Sequence, residues 1–393
     1  MLKTETNPRT LRDEAKSATG TPWYLWCAVA AVTSSMIGAR WDVSWHQSIG
    51  RDTFWTPAHM AIYLCGVLAG VVCAYLILNT TFRKTSKIAA SSVHVMGFTG
   101  PLGAFLAAWG GVAMLTSAPF DNWWHNAYGL DVKIISPPHT LLMLGATAVE
   151  AGALLLILAA MNRATGQEAS NFRKLQWLLL YLFALVLLAV MFFCTEYTRD
   201  VLLHSPIPYI AVSIGVPLCY AAAWKASRHR WALTCITAIY TAVTIAFILI
   251  LPLFPAQPKL GPVYQPVTHF VPPAFPLLLL VPAVLLDLLW SRIGNRSRPL
   301  VALASAPVYL LSLLAIEWPF ASFLMTNAAQ NRFFATGYHP YAMPPWSASV
   351  TRHFVNAGHG AFPLRGLALA MICAAISTWL GLGLGGWMRK IQR

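Results

Sequence analysis

Apolar runs about one bilayer thick, separated by polar loops, recur along the whole chain. They lie at about Trp23–Arg40, Pro57–Leu78, Val95–Thr116, Pro137–Ala160, Leu175–Cys194, Ile207–Trp224, Trp231–Leu253, Pro272–Trp290, Pro299–Ile316 and Phe362–Met388. A helix needs roughly 20 such residues to cross the hydrocarbon core, where no water satisfies an open backbone. The pattern predicts an all-α, polytopic membrane bundle of about ten transmembrane helices. Composition agrees, with 57% hydrophobic and 10% charged residues, against roughly 25% charged in soluble domains. Residues 1–21 read as a polar basic tail, 22–162 as the first four helices, and 163–393 as the remaining bundle with long outer loops.

The net charge of +14 is distributed by topology. The two terminal segments and every second loop hold 19 of the 27 Lys and Arg residues. By the positive-inside rule both termini are expected in the cytoplasm, in a multi-pass protein of the bacterial cytoplasmic membrane. A charge explained in this way gives no reason to expect nucleic acid as a partner. The opposite, outer face collects five of the seven aspartates and nine of the eleven histidines. The seven cysteines include no Cys-x-x-Cys, so no zinc knuckle or redox dithiol is indicated.

Within that outer face one pattern occurs twice. Trp41-Asp42-Val43-Ser44-Trp45-His46 is followed by Gly50, Asp52, Pro57 and His59; Phe120-Asp121-Asn122-Trp123-Trp124-His125 is followed by Gly129, Asp131, Pro137 and His139. The Asp, first His, Gly and second Asp recur 79 positions apart, and the Pro and last His 80 apart, so one residue is inserted in the second loop. The repeat unit reads as a helical hairpin. Asp42 and His46, like Asp121 and His125, are spaced i and i+4 and so share a helix face. Thr56-Pro57 and Ser136-Pro137 read as N-cap plus Pro at N1 of the next helix. His59 and His139 then fall at the same position, N3, and the insertion is loop slack.

Two imidazoles and a carboxylate suit a first-row transition metal and leave open coordination positions. The expected metal ligands are Asp42, His46 and His59 at one site and Asp121, His125 and His139 at a second. Asp52 and Asp131 would orient an imidazole or cap loop amides. The competing explanation for all of these residues is interfacial polar groups satisfying helix ends. Weaker candidates are Asp200 and His204, a degenerate third copy beside Glu196, and Glu150, a buried proton relay or hydrogen-bonded core acid. His269, His339, His353 and His359 fit no ligand template, and Trp41, Trp45, Trp55, Trp123 and Trp124 read as an interfacial belt.

In these ligand motifs the chain resembles a membrane subunit of the particulate methane and ammonia monooxygenases, the copper membrane monooxygenase family. Asp42-x3-His46-x12-His59 has the spacing of one copper site in that family, and Asp121-x3-His125-x13-His139 that of the neighbouring site, where the first ligand is typically Asn. The match covers the first four helices. It implies copper, with iron or zinc as other metals the ligands admit, and oxidation of a small apolar substrate by dioxygen with quinol as reductant. It also implies other membrane subunits, or a second copy of the chain, as protein partners.

Three rivals stand beside that expectation. Haem b would use histidines 13 or 14 apart along one helix, but Gly50, Pro57, Gly129, Pro137 and Pro138 interrupt both intervals. A copper transporter or metallation factor would use the same outer sites, and a structural accessory protein would only pack against partners.

Overall fold

The computed structural model describes residues 20–83, 88–129, 135–164, 171–198, 201–259, 267–336 and 364–393. The fold of these residues is all-α. Its helices are α1 (Trp23–Ser48), α2 (Pro57–Phe82), α3 (Leu102–Tyr128), α4 (Pro137–Arg163), α5 (Phe172–Thr198), α6 (Pro206–Ser227), α7 (Ala232–Ile250), α8 (Leu280–Ile293), α9 (Arg298–Leu324) and α10 (Leu364–Met388). Eight of them, all but α1 and α8, are long and apolar enough to cross a membrane. The chain is therefore a polytopic helical membrane bundle. Helix α1 has the length, at 26 residues, but its second half carries Arg40, Asp42 and His46.

Two sequence expectations need correction. The third span does not begin at Val95, because Val93–Val95 (β1) pairs antiparallel with Phe98–Gly100 (β2). Met96 and Gly97 form the turn with φ of 48° and 86°, and the helix starts only after Pro101. The eighth span is not a helix from Pro272. Residues 271–278 are non-helical and α8 spans only 14 residues. Pro272, Pro273 and Pro276 remove three backbone donors from that stretch, which a helix interior does not tolerate. Glu317 of α9 accepts the Leu278 N–H at 2.9 Å instead, while Asp287 of α8 caps the first turn of α7 through Leu233 and Thr234.

Small residues set the spacing of the helices that carry the repeat. A Cβ on Gly38 of α1 would sit 2.8 Å from the Ile62 nitrogen and 3.0 Å from the Ala58 carbonyl of α2. Between α3 and α4, Gly110 and Gly145 face each other so closely that a Cβ on either would meet the other's carbonyl at 2.6–2.8 Å. Membrane helices lack a hydrophobic drive to associate, so this close backbone approach is what packing can exploit. Antiparallel hairpins α1–α2 and α3–α4 result, with the α1–α2 and α3–α4 turns at the same end of the bundle. At the other end Asn162 of α4 donates to the carbonyls of Met388 and Ile391 after α10, and Arg163, Lys225, Arg228 and Arg389 gather there. One continuous apolar core joins the helices between these two ends.

Candidate metal centre

The first site is built where α1 ends and α2 begins. Helix α1 continues past its apolar stretch to Ser48, so Asp42 and His46 lie one turn apart on a rigid element. Gly50 ends it with φ 83°, and its N–H reaches back to the Trp45 carbonyl at 3.2 Å. Gly129 plays the same part after α3, with φ 88° and its N–H on the His125 carbonyl at 3.0 Å. Both glycines of the repeat therefore occupy a backbone region that residues with a Cβ avoid.

The loop 51–56 is pinned from both sides. Trp45 Nε1 donates to the Arg51 carbonyl at 3.0 Å. Thr56 makes no side-chain cap bond to α2, contrary to the expectation from its sequence; its hydroxyl accepts the Thr53 N–H at 2.8 Å. Ser136 does cap, accepting the His139 N–H at 3.3 Å. Pro57 and Pro137 open their helices, and His59 and His139 both stand at N3.

These constraints bring Asp42, His46 and His59 together, with one ligand atom from each lying within 4.8 Å of the others. Among the described residues this is the one such group. His59 Nε2 is 3.1 Å from Asp42 Oδ1, and His46 Nε2 is 3.7 Å from Asp42 Oδ2. Asp52 enters the same cluster, its Oδ2 lying 3.5 Å from His46 Nε2 and 3.3 Å from His59 Nε2. It stands beside the same two nitrogens as Asp42, not behind the imidazoles, and is thus a fourth donor. Burial works to raise the Asp52 carboxyl, but the hydrogen bond from His59 and the imidazoles of His46 and His59 hold it down to about 2.

In the second copy Asp121 is flanked by both imidazoles. His125 Nε2 lies 3.3 Å from its Oδ2 and His139 Nε2 3.4 Å from its Oδ1. His125 Nδ1 is 3.3 Å from the Gly129 carbonyl, a contact that places the proton on Nδ1 and leaves Nε2 as the donor atom.

The donor chemistry fits a cation. Asp42 Oδ1 and Asp121 Oδ1 are both buried without an aligned hydrogen-bond donor, although an imidazole nitrogen lies close to each. A buried carboxylate oxygen without a partner is costly. A metal ion between the oxygen and the imidazoles would remove that cost. Imidazole with carboxylate is the ligand set of first-row transition ions.

The remaining sequence candidates fall elsewhere. His204 Nε2 lies 2.9 Å from Ser322 Oγ, and its ring meets Trp318 edge-on at 4.9 Å. Burial lowers its imidazole below the usual range, and its contacts with Ser322 and Trp318 pack it against α9. Pro206 opens α6 as expected, but Asp131, Asp200, the Glu196 side chain, His339, His353 and His359 lie outside the described residues. His269 contacts Thr268 Oγ1 at 2.9 Å and joins an isolated bridge to Pro255. Glu150 lies deep in α4, eleven residues or about 16 Å from His139, with a buried, unpartnered Oε1.

Two further parts of the site were missed in the sequence. Tyr63, one turn after His59 on α2, has its ring 6.0 Å from the His59 ring and lies in electrostatic reach of Asp42, Asp52 and Asp121. Its i+4 spacing from His59 was the available signal. The outer chain after α7 braces α1 from behind: Ser44 Oγ donates to the Val271 carbonyl at 2.6 Å, and Val271 N–H donates to Ser48 Oγ at 2.8 Å. Nothing local to residues 41–59 encodes that contact. No protein-family model, curated protein or solved structure matches this chain.

Proposed function

We propose that this chain is a membrane-embedded, copper-dependent oxidase or monooxygenase, or a component of one, with two Asp/His/His metal sites. The observation that carries the proposal is the convergence of Asp42, His46 and His59 to within 4.8 Å, with a buried carboxylate oxygen 3.1 Å from an imidazole nitrogen among them. The Asp121, His125 and His139 arrangement adds to it. In this reading Asp42, His46 and His59 hold one ion and Asp121, His125 and His139 a second. Copper bound there would supply one-electron chemistry toward dioxygen.

The protein's own groups hold and shield the ions. Asp42 and Asp52 offset the charge of a bound cation, and the His125–Gly129 contact fixes a tautomer. Gly38 keeps the last ligand of the first site close to the first two. The His46 side chain, 37% exposed, marks the open side of the first site, and apolar helices exclude water from the other sides. A small apolar substrate would arrive laterally from the bilayer. Charge placement supports cytoplasmic termini, metal sites near the outer face and residence in a bacterial inner membrane.

A second reading is copper handling without catalysis. Asp52 favours it at the first site, because a fourth donor closes a shell that a reactive metal would keep open. Quinol-dependent dioxygen uptake by membranes containing the protein separates the two. Oxidase or monooxygenase function predicts uptake that falls to background in His46→Ala or His125→Ala. Metal-loaded protein with no uptake above background supports the handling role.

A further inference from the structure

A second buried acidic site lies at the break before α8, on other helices than the metal ligands. Glu317 is 1% exposed. It stands 19 residues, about 28 Å, along α9 from Arg298. Its Oε2 is fixed by the Leu278 N–H, whereas its Oε1 is buried with no hydrogen-bond partner. Among the described residues no cation pairs with it. Tyr240 of α7 lies in electrostatic reach of Glu317, and also of Arg40 and Cys194. The Arg40 guanidinium lies over the Phe192 ring at 4.8 Å.

The backbone around Glu317 is rich in oxygen that lacks a helical donor. The carbonyl of Leu278 would receive a helix bond from residue 282, and that residue is Pro282. The carbonyl of Ala315 would receive one from residue 319, and that residue is Pro319. Non-helical backbone is tolerated inside a membrane bundle where it is covered by protein or lines a site. Leu278, whose N–H holds Glu317 Oε2, lies in the non-helical stretch, so the groups at this point are a buried carboxylate and open backbone, whose oxygen atoms suit a proton or a hard cation and not a transition metal.

We propose that Glu317 and the unwound backbone before α8 form a buried binding site for one small monovalent cation, a proton or a sodium ion. The site is separate from the metal centre and does not depend on its identity. One positive charge at Oε1 neutralises the carboxylate and gives the orphaned oxygen its missing partner. This makes the non-helical stretch before α8 a functional feature of the bundle and not only a consequence of three prolines.

Two measurements on the full-length protein in nanodiscs test the proposal. Infrared spectroscopy reads protonated carboxyl groups, and thermal unfolding compares sodium chloride with choline chloride. A bound proton predicts a protonated-carboxyl band at neutral pH that is lost in Glu317→Gln and shifted in Glu317→Asp. A bound sodium ion predicts a wild-type melting temperature that rises with sodium, and a Glu317→Gln variant that no longer responds. Either outcome supports the site. Wild-type protein that shows neither a sodium response nor a band altered by these substitutions overturns it, whatever the stability of the variants.

Discussion

The two carboxylates of the first repeat approach the same pair of imidazoles from different elements. Asp42 reaches both imidazoles from its own helix, while Asp52 reaches the same nitrogens from the loop. Removing the charge of Asp52 alone leaves Asp42, His46 and His59 in place. Asp52→Asn is expected to weaken metal binding at the first site roughly 10–100-fold, with the second site unchanged, as read by titration of the apoprotein with copper. Equal weakening at both sites would assign Asp52 to the stability of the whole fold and not to the ion. The two Asp/His/His clusters were legible in the sequence because i, i+4 spacing and the N3 position are local geometry. The position of Asp52 was not legible, since it depends on how Trp45 and Thr56 fold the loop 51–56.

Glycines and prolines decide how the helices meet. Gly38 sits one turn before Asp42, where α2 crosses α1 at backbone contact. Gly38→Val drives a side chain into Ile62 and is expected to cost about 1–3 kcal/mol, lowering the melting temperature and the metal content of the first site together. Gly129→Ala places a Cβ at φ 88°, ψ −174°; it is expected to cost about 1–3 kcal/mol and to disturb the His125 orientation, which lowers occupancy of the second site more than the first. Ser48→Ala strips the buried Val271 N–H of its acceptor, for a loss of about 1–3 kcal/mol measurable by thermal unfolding. Most helices were legible as apolar runs, three of them opened by Pro at N1. The break before α8 was hidden because its residues are as apolar as a span, and apolarity alone does not register the donors that Pro272, Pro273 and Pro276 remove. The β1–β2 hairpin was hidden in the same way, its valines counting toward an apolar run.

Across the whole molecule the two ends have opposite chemistry. Basic side chains tie α4, α6 and α10 together at one end, and the carboxylate–imidazole clusters occupy the other. Cytoplasmic termini predict that fluorescent-protein fusions at either terminus light up while alkaline phosphatase fusions stay inactive; active phosphatase at either terminus would contradict the topology. The central claim is that the two clusters are two metal sites. Elemental analysis of purified wild-type protein beside His46→Ala and His125→Ala tests it most directly. Two copper atoms per chain, with about one lost in each variant, is the result expected from two independent sites. Wild-type protein from copper-replete cells that carries no metal, or variants whose metal content equals the wild type, would contradict it.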